Sequence, residues 1–310
     1  MYRMKGSKNM GLFRSFQNAG PGIDPNAPKK KPFFRFWELM RRNFGKLLSL
    51  NLLYTLLHVP GLLSLVVYLE TDNKFTNAMT VLLLAVQFVL EGPIMAGCAR
   101  VLRLIVLDKP FFFAEEFRKG FRRNFVAAFL FWCLDALMIA SLLAGHWVYP
   151  QIAQATGSKA IFILYGISVS VALVLLFMNY YIWALQVATT LKKGTVLKNA
   201  LMLSGLSMKQ CLISTFGIVL MLGLVVLLWM INSYFMFLIA FFPAAFIGYL
   251  VMFVHYPVVQ KFVINPYYES SGEQNPEDEE VIPDEERVFT DRGTSETPVS
   301  TDRKKGKVIS

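Results

Sequence analysis

The sequence predicts an all-α polytopic membrane protein. Six transmembrane helices are expected, in three helix-hairpin repeats with amphipathic cytoplasmic helices. Three observations lead there. Hydrophobic residues make up 55% of the 310-residue chain and mean hydropathy is +0.46. Charged residues are 17%, against about 25% in a soluble domain. The apolar residues fall in blocks long enough to cross a bilayer, which takes about 20 helical residues. This pattern excludes a soluble enzyme and a secreted domain. It also argues against an outer-membrane barrel, whose strands alternate in polarity.

The net charge of +10 averages two unlike parts. From Asn265 to Ser310 there are twelve acids and six bases, a net of −6. Residues 1–264 hold 25 bases and nine acids, a net of +16. That excess fits loops facing anionic lipid. No soluble folded domain is present to carry a nucleic-acid interface. Cys98, Cys133 and Cys211 lie in or beside apolar segments, fit no zinc spacing, and are expected as unpaired buried thiols.

Residues 1–45 form a polar, basic segment without an early apolar core. A cleavable signal peptide is therefore not expected, and the first span serves as an uncleaved anchor. Within this segment an interfacial helix is expected over 33–45, with Phe33, Trp37, Met40 and Phe44 on one side and Arg35, Glu38, Arg41, Arg42 and Lys46 on the other. The membrane domain, 46–264, divides into spans near 46–69, 78–107, 125–148, 160–190, 211–231 and 235–264. The odd-numbered spans are just long enough; the even-numbered ones are longer and should tilt or extend into the cytoplasm. Lys74 and Lys159 are the only bases in the three short loops of one side, and the other 23 of the 25 lie opposite. Positive charge stays inside, so both termini are expected in the cytoplasm. Residues 265–310 are expected as an acidic disordered cytoplasmic tail, too poor in apolar area to fold alone.

The pattern repeats about every eighty residues. FFRFWELMRRNFGKLLSLNLL opens the first unit, FFFAEEFRKGFRRNFVAAFLF the second, and TVLKNALMLSGLSMKQCLISTF, more weakly, the third. Arg42-Asn43-Phe44 and Arg123-Asn124-Phe125 match, and the third unit lacks that triplet. All three units run in one orientation, which permits a pseudo-threefold axis along the membrane normal.

Ionisable residues inside a bilayer are costly and need a reason. His58, Glu91, Asp135 and Asn179 fall inside the spans and form the candidate intramembrane polar site. It could serve a cation, a proton or a sugar hydroxyl, or act only as hydrogen-bonding glue between helices. Gly92 and Pro93 mark an expected kink beside Glu91. Arg100, Arg103, Lys192 and Lys193 read as lipid head-group contacts. No nucleophile elbow, phosphate loop, zinc motif or dinucleotide fingerprint is present in the sequence. No catalytic residue, metal or cofactor is therefore assigned, and the lack of a phosphate loop rules out an ATPase subunit.

The stretch GPIMAGCARVLRLIVLDKPFFFAEEFRKGFRRNF resembles the hallmark region of the YesL family of bacterial membrane proteins. There a Gly-Pro with small residues leads into a basic helix end, an aromatic-acidic helix and a Lys/Arg-Asn-Phe. The opening GPGIDPNAPKKKPFFRFWELMRRNFGKLLSLNLLYTL is also similar to members from low-GC Gram-positive gut bacteria. The resemblance covers roughly residues 10–268. Glu91 stands where an apolar residue is usual, and Gly97 where alanine is. The resemblance implies company with carbohydrate uptake and degradation systems, notably sugar ABC importers, and no catalytic residues. The expected function is a non-enzymatic accessory protein that meets the lipid bilayer and ABC importer permease subunits. The alternative is an autonomous transporter or channel using the midplane polar site.

Overall fold

The computed structural model describes residues 31–70, 73–232, 234–235, 238 and 242–277. Eleven helices carry most of these residues: α1 (Pro32–Arg42), α2 (Phe44–Leu57), α3 (Val59–Glu70), α4 (Lys74–Val106), α5 (Phe113–Arg123), α6 (Phe125–Thr156), α7 (Ile161–Ala188), α8 (Lys193–Leu206), α9 (Met208–Ile231), α10 (Ala244–Val259) and α11 (Asn265–Ser271). A π-helical turn, Gln260–Ile264, joins the last two.

By length and composition, five helices can cross a membrane: α4, α6, α7, α9 and the continuous run Ala244–Ser271. The expected first span, 46–69, is instead α2 and α3, bent by 43°. Pro60 supplies the cause. It has no N–H to donate and its ring crowds the preceding turn. The expected kink position at Gly92-Pro93 lies inside α4, which runs unbroken from Lys74 to Val106.

Three further boundaries move. α6 continues past the expected end at 148, through Pro150, and stops at Gly157 in the left-handed region, φ 65°. An odd-numbered span is therefore as long as the even ones. In the sixth apolar segment α10 begins at Ala244, and residues 236–237 and 239–241 lie outside the described residues. The tail begins later than expected, since α11 carries the helix to Ser271 and Asn275 lies buried. Residues 278–310 and 1–30 lie outside the described residues, and with them most of the expected tail and N-terminal segment.

The three junctions between an amphipathic helix and the apolar helix after it are built alike. Asn43, Asn124 and Ser207 sit at the corners with φ/ψ of −102°/17°, −105°/7° and −123°/40°. Each is buried. Each backbone N–H donates to the carbonyl four residues back: Asn43 to Leu39, Asn124 to Gly120, Ser207 to Leu203. Each side chain donates to that same carbonyl. Each corner carbonyl then accepts from the fourth residue onward, Leu47, Ala128 or Cys211. One residue thus closes one helix and opens the next. Asn and Ser suit the position because their short polar side chains bond nearby backbone. Ser207 fills in the third unit the place that asparagine fills in the other two.

Burial is graded along the helices. It concentrates in Gly92–Val106 of α4, Phe177–Ala188 of α7, and α10 with the π-turn. These three stretches pack on one another. At the opposite end Leu82 and Leu84 of α4, Leu143 and Trp147 of α6, and Ile163 and Leu164 of α7 are exposed. That much contiguous apolar surface is foreign to a water-soluble monomer and compatible with a lipid surround.

Small residues allow the close approaches. A Cβ on Gly92 would stand 2.4 Å from the Ala128 carbonyl oxygen of α6. A Cβ on Gly120 of α5 would stand 2.9 Å from the Ala96 carbonyl oxygen of α4, and one on Gly97 would meet the Phe117 ring at 2.7 Å. Across the chain, Asn51 Oδ1 of α2 accepts from the Ala245 N–H at 2.9 Å and so caps the start of α10.

Gly92→Ala is expected to force α4 and α6 apart and lower stability by about 1–3 kcal/mol. Gly166→Ala, with nothing near the added methyl group, is expected to leave stability unchanged or raise it. Thermal unfolding of both variants in detergent checks the contrast.

Candidate functional site

His58 stands at the break between α2 and α3. Its Nδ1 lies 2.7 Å from the Tyr54 carbonyl oxygen. Its Nε2 lies 2.7 Å from Glu91 Oε2 on α4. A carbonyl oxygen only accepts, so Nδ1 carries a hydrogen. Nε2 and Oε2 then hold one proton between them, as an imidazolium with a carboxylate or an imidazole with a carboxylic acid. Either way the pair has no net charge, which is the form that burial tolerates.

Glu91 has further partners. Gln87 Nε2 donates to Oε2 at 2.9 Å, and the Tyr54 hydroxyl faces Oε1 at 3.4 Å. Gly61 lets α3 close on α4 here, since its missing Cβ would stand 3.2 Å from Gln87 Cγ. The Tyr54 ring lies over the His58 ring, centroids 4.0 Å apart. The helix break, the glycine and the acid on the next helix therefore make one local unit.

Asp135 and Asn179 form a second pair. Asn179 Nδ2 of α7 donates to Asp135 Oδ1 of α6 at 2.6 Å. Asp135 is buried between helices. Met138 and Leu142 follow on the half-buried side of α6, while Ser141 is exposed. Asn179 Oδ1 and Trp132 Nε1 are buried without a hydrogen-bond partner among the described residues. The four candidates thus come together as two pairs with separate partners. A shallow apolar hollow beside α7 is lined by Ile167, Ser170, Val171, Val174 and Leu175 and by none of the four.

The head-group assignments need correction at two of four positions. Arg103 is buried where α4, α7 and α10 meet. Its Nε donates to the Tyr256 hydroxyl at 2.7 Å, its Nη1 to the Val187 carbonyl oxygen at 3.2 Å, and its Nη2 to Glu277. Tyr256 donates to Glu277 Oε1 at 2.5 Å, and Gln260 Nε2 donates to Oε2 at 3.0 Å. Arg100 pairs with Glu116 of α5 at 2.7 Å. Both arginines point inward along the packed end of α4, where acids from distant segments reach them. Lys192 and Lys193 are exposed.

Burial by itself would raise the Glu277 carboxyl, but the Arg103 guanidinium and the hydrogen bonds from Tyr256, Arg103 and Gln260 hold it below its ordinary value. Glu116 is likewise held low against its burial by Lys119 and Arg100.

A second buried group also went unread in the sequence. His255 Nε2 meets Ser214 Oγ at 2.9 Å, between the rings of Tyr180 and Tyr181. Tyr181 in turn bonds the corner residue Ser207. A lone histidine in an apolar run carries little signal of this. The spacing of Tyr180-Tyr181 to His255 is purely tertiary. Among the described residues no three His, Cys, Asp or Glu side chains cluster as a metal site.

Two outcomes follow from the geometry. Glu91→Leu strips His58, Gln87 and Tyr54 of their common acceptor and is expected to cost about 1–3 kcal/mol per stranded donor. Glu91→Gln keeps an acceptor oxygen and is expected to cost less. Denaturation of the two variants in one detergent reads the difference. Removing Glu277, by Glu277→Leu or by ending the chain at Ser270, leaves a buried guanidinium without its charge partner. That is expected to cost about 3–5 kcal/mol. Because the folded Glu277 value lies below its ordinary 4.5, its stabilisation is complete above that pH. It disappears as pH falls through the lowered value, and Glu277→Leu should remove this part of the acid sensitivity.

No protein-family model, curated protein or solved structure matches the chain.

Proposed function

We propose that the chain is a non-enzymatic accessory protein of the bacterial cytoplasmic membrane. In this reading it assembles with the permease subunits of a carbohydrate ABC importer. Six spans lie in three hairpins, with the bent α2–α3 pair counted as one span and both termini in the cytoplasm. The three matched corners at Asn43, Asn124 and Ser207 support the threefold unit. The resemblance to the YesL family supplies the link to sugar uptake.

The observation that carries the accessory reading is the closure of the His58–Glu91 pair. His58 cancels the charge of the Glu91 carboxylate, and Gln87 and Tyr54 donate to it as well. Such a pair glues helices and offers little to a passing solute. One observation favours the transporter reading. Among the described residues Asn179 Oδ1 and Trp132 Nε1 are both unpartnered on the helices that carry the Asp135 pair, against Gln87 Oε1 alone at the Glu91 pair, and incomplete polar sites are where a solute could bind.

The test is affinity purification of the tagged chain from native membranes in mild detergent. Importer permease subunits are expected to co-purify, with recovery unchanged in Asp135→Asn. Solute flux by the purified chain alone in vesicles, abolished by Asp135→Asn, would instead establish the transporter.

A further inference from the structure

The Arg103 network has the form of a receptor holding a ligand. Its fixed part is helical and buried: Arg103 on α4, Tyr256 on α10 and Gln260 on the π-turn, with the Val187 carbonyl of α7 steadying the guanidinium. Its occupant, Glu277, arrives on the non-helical arm that follows Gly272. Both carboxylate oxygens are read, Oε1 by Arg103 and Tyr256 and Oε2 by Gln260. Charge-assisted recognition of this type is strong and specific for planar acids.

The rest of the arm is held lightly. Lys109 Nζ donates to the Pro276 carbonyl oxygen at an exposed site, and Asn275 bonds Asn265 at 3.3 Å. Asn275 Oδ1 accepts from the Glu277 N–H at 3.0 Å and shapes the turn that presents the acid. Glu273 and Gln274 are exposed. The arm is held by polar contacts at the buried Asn275, at Pro276 and at Glu277, and the carboxylate is the charged one among them.

We propose that Arg103, Tyr256 and Gln260 form a carboxylate receptor that Glu277 occupies in cis, and that an acidic peptide segment of a partner protein occupies it when the arm withdraws. The receptor lies at the meeting point of α4, α7 and α10, so exchange of its occupant reports directly to the packed end of the bundle. The proposal does not depend on whether the chain is an accessory protein or a transporter.

The probe is a dye-labelled peptide copying residues 272–279, read by fluorescence anisotropy on the full-length chain in detergent. A tethered arm competes at an effective concentration of about millimolar. Glu277→Gln weakens that competitor, so the variant is expected to bind the peptide at least about tenfold tighter than the wild type. The same peptide with glutamine at its Glu277 position is expected not to bind, although its other acids remain. Equal binding to both chains, none to either, or equal binding of the two peptides overturns the proposal. Should Glu277→Gln fail to fold, a spin label at Gln274→Cys on the otherwise wild-type chain answers the question. Saturating glutamate peptide is expected to raise the label's mobility and glutamine peptide to leave it unchanged, and no peptide-dependent change overturns the proposal.

Discussion

A guanidinium cannot escape burial by losing its proton. Once Arg103 lies on the inner face of α4, every acceptor around it has to come from the protein. Tyr256 of α10, the Val187 carbonyl of α7 and the Glu277 carboxylate meet that demand together. One side chain therefore fixes where three helices and the arm converge. The tightest packing lies at the same end. Gly97 and Gly120 bring α5 flat against α4, and Leu102 fills the space over Gly248 of α10. Hydrophobic burial gains little when helices meet in lipid, because acyl chains are as apolar as leucine, so close packing and hydrogen bonds hold them together. Polar closure of this kind then contributes specificity that apolar contact cannot supply.

The corners solve a related problem. An amphipathic helix that turns into an apolar one must end and restart within a residue, and its terminal carbonyls need donors. At Asn43, Asn124 and Ser207 the backbone N–H and the side chain both serve the same carbonyl. No glycine and no loop is needed. The third corner is also tied to the core, because Tyr181 bonds Ser207 and packs against His255. The second corner is braced as well, since Gln186 Nε2 of α7 donates to the Asn124 carbonyl oxygen at 3.3 Å.

Helical class and apolar length were legible because they depend on local composition alone. The break at His58 was only half legible: the Val59-Pro60-Gly61 signal was there, yet Gly92-Pro93 gave the same signal inside an unbroken helix. What separates them is tertiary. α6 packs its backbone directly on Gly92, whereas at Gly61 the neighbour is the Gln87 side chain. His58 and Glu91 were legible as costly residues but not as partners. Arg103 misled because a basic residue near a helix end reads as a lipid anchor. Its partner lies 174 residues away in an acidic stretch whose composition argues against packing.

The two polar pairs differ in completeness, and that difference locates the chemistry. At Glu91 three side chains from two directions converge on one carboxylate, and the shared proton with His58 removes the net charge. One amide oxygen there, Gln87 Oε1, is buried without a partner among the described residues. At Asp135 a single amide donates to one oxygen, and among the described residues both that amide's own carbonyl and the indole N–H of Trp132, one turn earlier on the same helix, are unpartnered. A buried acceptor and a buried donor that do not meet each other each retain the cost of desolvation. A cluster left in that state is stabilised by any small polar species that bridges it. Of the four residues singled out by charge and depth, Glu91 has its charge met within the protein by His58, with two further donors beside it. Asp135 rests on the single Asn179 amide, so its burial is the less compensated of the two.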